Sequence, residues 1–340
     1  IQDGINAAST GDTVLVAEGT YYENINFMGK AITVGSHYLI DGNSFHIPAT
    51  VIDGSQPDDP EIASVVTFNS GEDSNSVICG FTITGGTGTY VESWPATLGG
   101  GIFCDGSGAR ITHNHIKNNQ VTDGNKAGGG GICTLMGEED VWVIIEYNTI
   151  KENTANSSGF AAFGGGLFTS NSSIILNNVV TDNHCDNPGI TSSAGGGMCI
   201  EKLPGSDTIF AKVYDNTVTE NTIEANYAEG AGIQVFKASA ELIGNTISYN
   251  SGIGSGQAFG GGIELYYNAA SVKVIDNEIS YNTLVSDGIP VGGGLTSEFA
   301  YEYLLIEDNH IHHNSCSGQG GHAAGLLIHA NHCVVDIINN

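Results

Sequence analysis

Asn277-Glu278-Ile279-Ser280-Tyr281-Asn282 is one of seven copies of Asn-x-(Ile/Val)-x-x-Asn, and the spacing of the copies decides the fold. The others begin at Asn114, Asn148, Asn178, Asn216, Asn245 and Asn309. The chain thus returns to the same text roughly every 30 residues, the mark of a solenoid. A second series, Gly followed by an aliphatic residue at the end of a Gly-rich run, interleaves with it at Gly101-Ile102, Gly131-Ile132, Gly166-Leu167, Gly197-Met198, Gly232-Ile233, Gly262-Ile263, Gly294-Leu295 and Gly325-Leu326. No single lap of this length can bury its own apolar face, so stacking must supply the core.

Within the lap from Gly260 to Asn282, Ile263 and Leu265 alternate with Glu264, and Val272 and Val274 alternate with Lys273. A period of two predicts strands, with the aliphatic residues inside and the acid outside. Three short strands per lap follow, and Asn277 falls at the bend between the second and third. Asparagine tolerates left-handed backbone, and stacked amides donate and accept along the stack. Asn114, Asn148, Asn178, Asn216, Asn245, Asn277 and Asn309 are therefore expected to form an internal ladder. The glycine runs allow positive φ and close approach of neighbouring laps. None is followed by Lys-Ser/Thr, so a phosphate cradle is not read.

The front end differs. Ile1, Ile5 and Ala8 share a face of a short helix, Gly11-Asp12 turns it, and Val14-Leu15-Val16 opens a strand. A polar-faced helix there would cap the coil and stop end-to-end association. The expected organisation is a single domain over 1–340. It has a cap helix in 1–13, irregular first coils in 14–83 and regular coils with the ladder in 84–340. Phe81 stands where later laps put Asn. Both ends read as cut in mid-lap, so a longer parent protein is expected.

Charge narrows the partners. With 37 acidic against 9 basic residues the formal charge is −28, which argues against nucleic acid and anionic membrane surfaces. No stretch reaches the roughly 18 apolar residues that span a bilayer, so membrane insertion is not expected. Seven cysteines fit neither a zinc ribbon nor a Cys-x-x-Cys pair. They read as thiols filling strand positions, with Cys185–Cys199 and Cys316–Cys333 as the conceivable loop pairings.

Ile1-Gln2-Asp3-Gly4-Ile5-Asn6-Ala7-Ala8, Gly11-Asp12-Thr13-Val14-Leu15-Val16, Thr50-Val51-Ile52-Asp53-Gly54 and Gly80-Phe81-Thr82-Ile83-Thr84-Gly85-Gly86 resemble the opening laps of pectate-lyase-like right-handed parallel β-helix proteins. The Gly-Gly-Gly-Ile and Asn-x-Ile laps fit the same superfamily. The resemblance is greatest to bacterial secreted or surface β-helix repeat proteins. It implies an all-β right-handed parallel β-helix with a short N-terminal capping helix, and a secreted or cell-surface location. It is far less specific for activity, since this scaffold carries lyases, hydrolases, adhesins and surface proteins.

The catalytic patterns that the resemblance would supply are missing. Arg110 is the one arginine, placed at the start of a second strand in a salt-bridging or solvated role. Hydrolases of this fold need paired carboxylates, and the nearest approaches each lack a partner. What remains is a candidate glycan groove over the outward first-strand positions Phe103, Cys133, Phe168, Cys199, Gln234, Glu264, Thr296 and Leu327. Its expected binding residues are Trp94, Phe103, Phe168, Glu201, Gln234, Glu264, Tyr266 and Glu298. Phe160, Phe163, Tyr227, Glu138, Glu139 and Tyr267 stand nearby in the loops, where rings could meet sugar faces and carboxylates hydroxyls. His310 and His312 flank Ile311 on the outer face of one strand, a spacing a transition metal can use, and His322, His329 and His332 follow. Calcium is the expected alternative cation, through loop oxygens such as Asp105, Asp123 and Asp287.

The leading functional expectation is display, adhesion or glycan binding by a secreted or surface protein, without covalent chemistry. A polysaccharide lyase or glycoside hydrolase is the alternative. A structural subunit of an extracellular filament or envelope layer, self-associating through the coil ends, is the third.

Overall fold

The computed structural model describes residues 1–340 apart from 136–140, 205–208, 268–270, 322 and 331–332. Glu138, Glu139, His322 and His332 therefore lie outside the described residues.

The chain winds as an all-β parallel solenoid of about nine turns. Each turn visits four sheets rather than the expected three. Among the described residues the first face stacks strands such as Ile102–Asp105, Ile132–Leu135, Ile233–Phe236 and Ile263–Tyr266. The second runs through Ala109–Thr112 and Val272–Ile275, and the third through His115–Lys117 and Glu278–Ser280. The fourth sheet contains Thr222–Glu229, Ser251–Phe259 and, at eleven residues, His184–Ala194. Three strands per lap leave no place for that last strand. The low aliphatic content of residues 183–194 hid it, because this sheet is filled mostly by alanine and cysteine, with only scattered branched residues such as Val121, Ile223 and Leu284.

In-register pairing puts like residues on like. Ile132 sits between Ile102 and Leu167, Ile145 between Ile111 and Ile175, and Ile150 between Ile116 and Val180. These columns form the main core, nearly all fully buried. A one-residue slip would move a whole column outside, which is why period two fixes the register. Val121, Ala127, Ala155, Ala162, Cys185 and Ile223 form a thinner cluster inside the fourth-sheet arch. The ladder pairs are parallel, except where Gly88–Val91 folds back against Ala96–Leu98 and Ile62–Ala63.

The asparagine ladder is present and runs inside. Asn178 donates from its backbone N–H (2.9 Å) and from Nδ2 (3.0 Å) to Oδ1 of Asn216 one lap on, and from Nδ2 to the carbonyl of Ile145 (2.8 Å). Phe81 donates its N–H to Asn114 Oδ1, so the ladder begins where sequence placed it. A second ladder, Asn119, Asn153, Asn183, Asn221, Asn250, Asn282 and Asn314, uses the other asparagine of the motif at the next corner. The left-handed bend itself is made one residue before the amide. Tyr147, Asp215 and Asp276 carry φ near +54° ahead of Asn148, Asn216 and Asn277, and Gly244 does so at +70° ahead of Asn245. The amide must point inward to bond, so the backbone reversal falls to its outward-facing neighbour.

The predicted N-terminal helix is Gln2–Ala7, with Ile5 fully buried. Lys30 Nζ closes its C-terminal end by donating to the carbonyls of Ile5, Asn6 and Ala8 at 2.7 to 2.9 Å. Two helical turns not read from sequence, Tyr38–Asp41 and His46–Ala49, interrupt the irregular laps. No described helix is long and apolar enough to cross a membrane. All seven cysteines are free thiols, so neither conceivable pairing is made.

Candidate functional site

The outward side of the first face is not the open groove its alternation suggests. Phe103, Cys133, Phe168, Cys199, Gln234, Glu264 and Thr296 are all at most 2% exposed, because the fourth sheet closes over them. Leu98, Ala161, Phe163 and Ala194 of that sheet pack on Phe103, Cys133, Phe168 and Cys199 in a second apolar layer. Alternation tells inside from outside of the coil. It does not tell whether another layer covers the outside.

Further along, apolar cover gives way to polar residues and the two layers part. A cavity of about 390 Å³ opens there, with Phe160 and Phe163 on the fourth-sheet wall and Glu201, Phe236 and Tyr266 on the other. The last three are neighbours in register at the ends of successive first-face strands, and Glu298 follows Tyr266. Glu229 ends the fourth-sheet strand Thr222–Glu229 and also lines the cavity. Gln234 joins the walls at the floor, its Nε2 donating to Glu229 Oε2 (2.9 Å) and Glu264 Oε2 (3.1 Å). Its Oε1 accepts from the Cys199 thiol at 3.5 Å.

Four carboxyls thus gather here, Glu264 buried and Glu201, Glu229 and Glu298 partly so. Burial pushes Glu201 up to about 7, against partial relief from Lys237 and Lys126. Burial also raises Glu229, and the charges of Glu201 and Glu298 add to the shift. Glu264 goes up through burial and then the charge of Glu229, and Glu298 through burial. Two carboxylates bridged by one amide cannot both ionise cheaply, so protons stay on the cluster near neutral pH. Tyr266, pushed to about 12 by burial and then by Glu229, remains a donor.

Cations and rings frame the mouth. Lys126 Nζ sits 4.5 Å from the Trp94 ring centroid, and Lys237 Nζ 4.5 Å from that of Phe236. Phe236 stacks on Tyr266 at 5.5 Å, and Tyr267 stacks on Phe299 at 5.0 Å, extending an aromatic array along one rim. Trp94, in the turn between Gly88–Val91 and Ala96–Leu98, lies against Phe163 and Phe168, each at 5.8 Å.

Of the expected binding residues, Glu201, Gln234 and Tyr266 line the cavity, Glu264 lies behind its floor and Glu298 beside it. Trp94 reaches its edge through Phe163. Phe103 and Phe168 are corrected from groove floor to sealed interior, because Leu98, Phe163 and Ala194 cover them. Sequence reading missed Glu229, Phe236, Lys126 and Lys237. The alternation Thr222-Ile223-Glu224-Ala225 was a legible strand signal, but the register shift between Ala225 and Tyr227 breaks it before Glu229.

The other candidates separate. Arg110 pairs with Glu146 (2.6 Å) at a half-exposed position, as expected. Asp105, Asp123 and Asp287 stand on separate strands and turns, and no three-residue acidic group gathers them among the described residues. His310 and His312 do share an outer face, where the structure adds Glu278.

Parallel laps, interior amide ladders and right-handed winding together define the protein class. The chain belongs to the right-handed β-helix family: a family model described as "Right handed beta helix region" matches residues 1–279 and 204–340. No curated protein matches it. No solved structure does either.

Proposed function

We propose that this chain is a secreted or cell-surface β-helix that binds saccharide chains in the cleft between its first and fourth sheets. One observation carries the reading: Glu201 and Glu229 line, from facing walls, a cavity that also holds the rings of Phe236 and Tyr266. Ring faces of Phe236 and Tyr266 suit the apolar faces of pyranose rings, and protonated carboxyls and a phenol supply donors to hydroxyls. With a net charge of −28 around it, the cleft favours neutral over uronic chains.

A glycan array followed by calorimetry tests this. Binding of a neutral oligosaccharide weakened about tenfold or more by Glu201→Gln or Tyr266→Ala supports it, a loss of roughly 1.4 kcal/mol. Binding that neither substitution changes places the ligand elsewhere, and no binding across the array defeats the reading.

The raised carboxyls favour a second reading, glycoside hydrolysis. A carboxyl near neutrality can give a proton to a leaving oxygen, while a second one acts as base or nucleophile. Release of reducing ends abolished by Glu229→Gln, with saccharide affinity kept, would establish it. Self-association through the coil ends belongs to the filament alternative, and electron microscopy showing only single short rods would oppose it.

A further inference from the structure

We infer that Glu278, His310 and His312 form a binding site for a divalent transition-metal ion of the zinc class, on the third face and independent of the cleft. The strands Glu278–Ser280 and His310–His312 pair in register, Glu278 against His310 and Ser280 against His312. Ile311 points inward, so both imidazoles rise from the same outer surface, with ring centroids 4.1 Å apart. The Glu278 carboxylate forks beneath them. Its Oε2 lies 2.9 Å from His310 Nδ1, and its Oε1 is hydrogen-bonded to His312 Nε2. All the donor atoms lie within 4.8 Å of one another, and no other such trio occurs among the described residues.

A zinc-class ion bonded at about 2.0–2.2 Å to each ligand needs donors roughly 3–3.5 Å apart, so small side-chain rotations suffice here. Two imidazoles and one carboxylate suit zinc, nickel, copper or cobalt better than calcium, which prefers an all-oxygen shell. An outer layer of support is present too. His312 Nδ1 meets His313 Nδ1 at 2.6 Å, and the His313 ring stacks on Tyr281 at 4.8 Å. Such a partner fixes the tautomer and orientation of a ligating histidine. His310 is 75% exposed, so water would complete the coordination. A bound ion would clip two consecutive laps together on the outside, opposite the amide ladders that join them within.

The full chain should be titrated with Zn²⁺ by calorimetry at about 0.15 M salt, where diffuse attraction to the acidic surface is screened. One Zn²⁺ per chain is expected. His310→Ala and His312→Ala should each weaken it at least about tenfold, Glu278→Gln similarly, and His313→Ala by less. Co²⁺ should give visible absorption bands of a nitrogen-oxygen site that vanish in His312→Ala, and unfolding should shift upward with Zn²⁺ in the native protein alone. Because these side chains lie on the surface, circular dichroism of each variant should match the native chain. Absence of Zn²⁺ binding up to about 1 mM, or binding of equal strength in the His310→Ala/His312→Ala double variant, overturns the assignment.

Discussion

Asn216 shows what one residue does in this molecule. Its Oδ1 accepts two bonds from Asn178, and its Nδ2 donates to the Ile175 carbonyl at 2.8 Å, all away from water. Asn216→Ala removes the acceptor of the buried Asn178 N–H and the donor to the Ile175 carbonyl, while Asn178 Nδ2 keeps the Ile145 carbonyl, so a loss of about 2–3 kcal/mol is expected, read from chemical denaturation at unchanged slope. Gly244 carries the left-handed bend before Asn245, and an added Cβ would lie 2.5 Å from Asp215 Oδ1. Gly244→Ala should cost roughly 1 kcal/mol or more. Glu264 and Glu229 carry the pH dependence. Their folded-state values are raised above the ordinary 4.5, so the unfolded chain releases these protons first. Their contribution is therefore complete below about pH 4.5 and declines as pH rises from there, through about 8 for Glu229. Glu264→Gln should leave stability near the native value at pH 4.5 and exceed it at pH 8, measured as the difference in melting temperature.

At the scale of an element, the fourth sheet decides whether the first-face surface is core or cleft. Over Phe103 to Cys199 it lies flat and apolar; beside Gln234 it separates and leaves the carboxyls a cavity. The glycine runs set how closely these strands can stack. A Cβ on Gly165 would lie 2.5 Å from the Gly196 carbonyl oxygen and 2.6 Å from that of His184, both backbone atoms unable to yield. Gly165→Ala should therefore perturb at least one whole lap, with faster amide hydrogen exchange in 164–170 and 195–200 than elsewhere. The ladder and the aliphatic columns were legible because their side chains repeat with the lap. The fourth sheet was legible only at stretches such as residues 222–225, since elsewhere Ala155, Ala162 and Ala258 fill its arch and alanine does not announce a strand.

For the whole molecule, stacking makes burial nearly complete within the coil. Cys79, Cys104, Cys133, Cys185 and Cys199 are buried, and burial raises each of their thiols away from the reactive thiolate. A thiol reagent should label only Cys316 and Cys333 in the native protein and all seven in denaturant, counted by mass spectrometry. The charge of −28 acts over the full length, and added salt should raise the melting temperature by screening self-repulsion.

The period of the asparagines and the alternation of the aliphatics determined by themselves that this chain stacks as a parallel coil with amides inside, because identical residues one lap apart become neighbours whatever the loops do. Only the tertiary structure decided which outward residues are wet. That depends on the fourth-sheet strand that precedes each first-face strand folding back over it, as Leu98 and Phe163 do in the layer over Phe103 and Phe168. The same closure joined Glu229 to Glu264 through Gln234, and stacking of consecutive laps set Glu278 under His310. Side chains separated by a full lap acquire a shared chemistry only when the coil brings them to one surface.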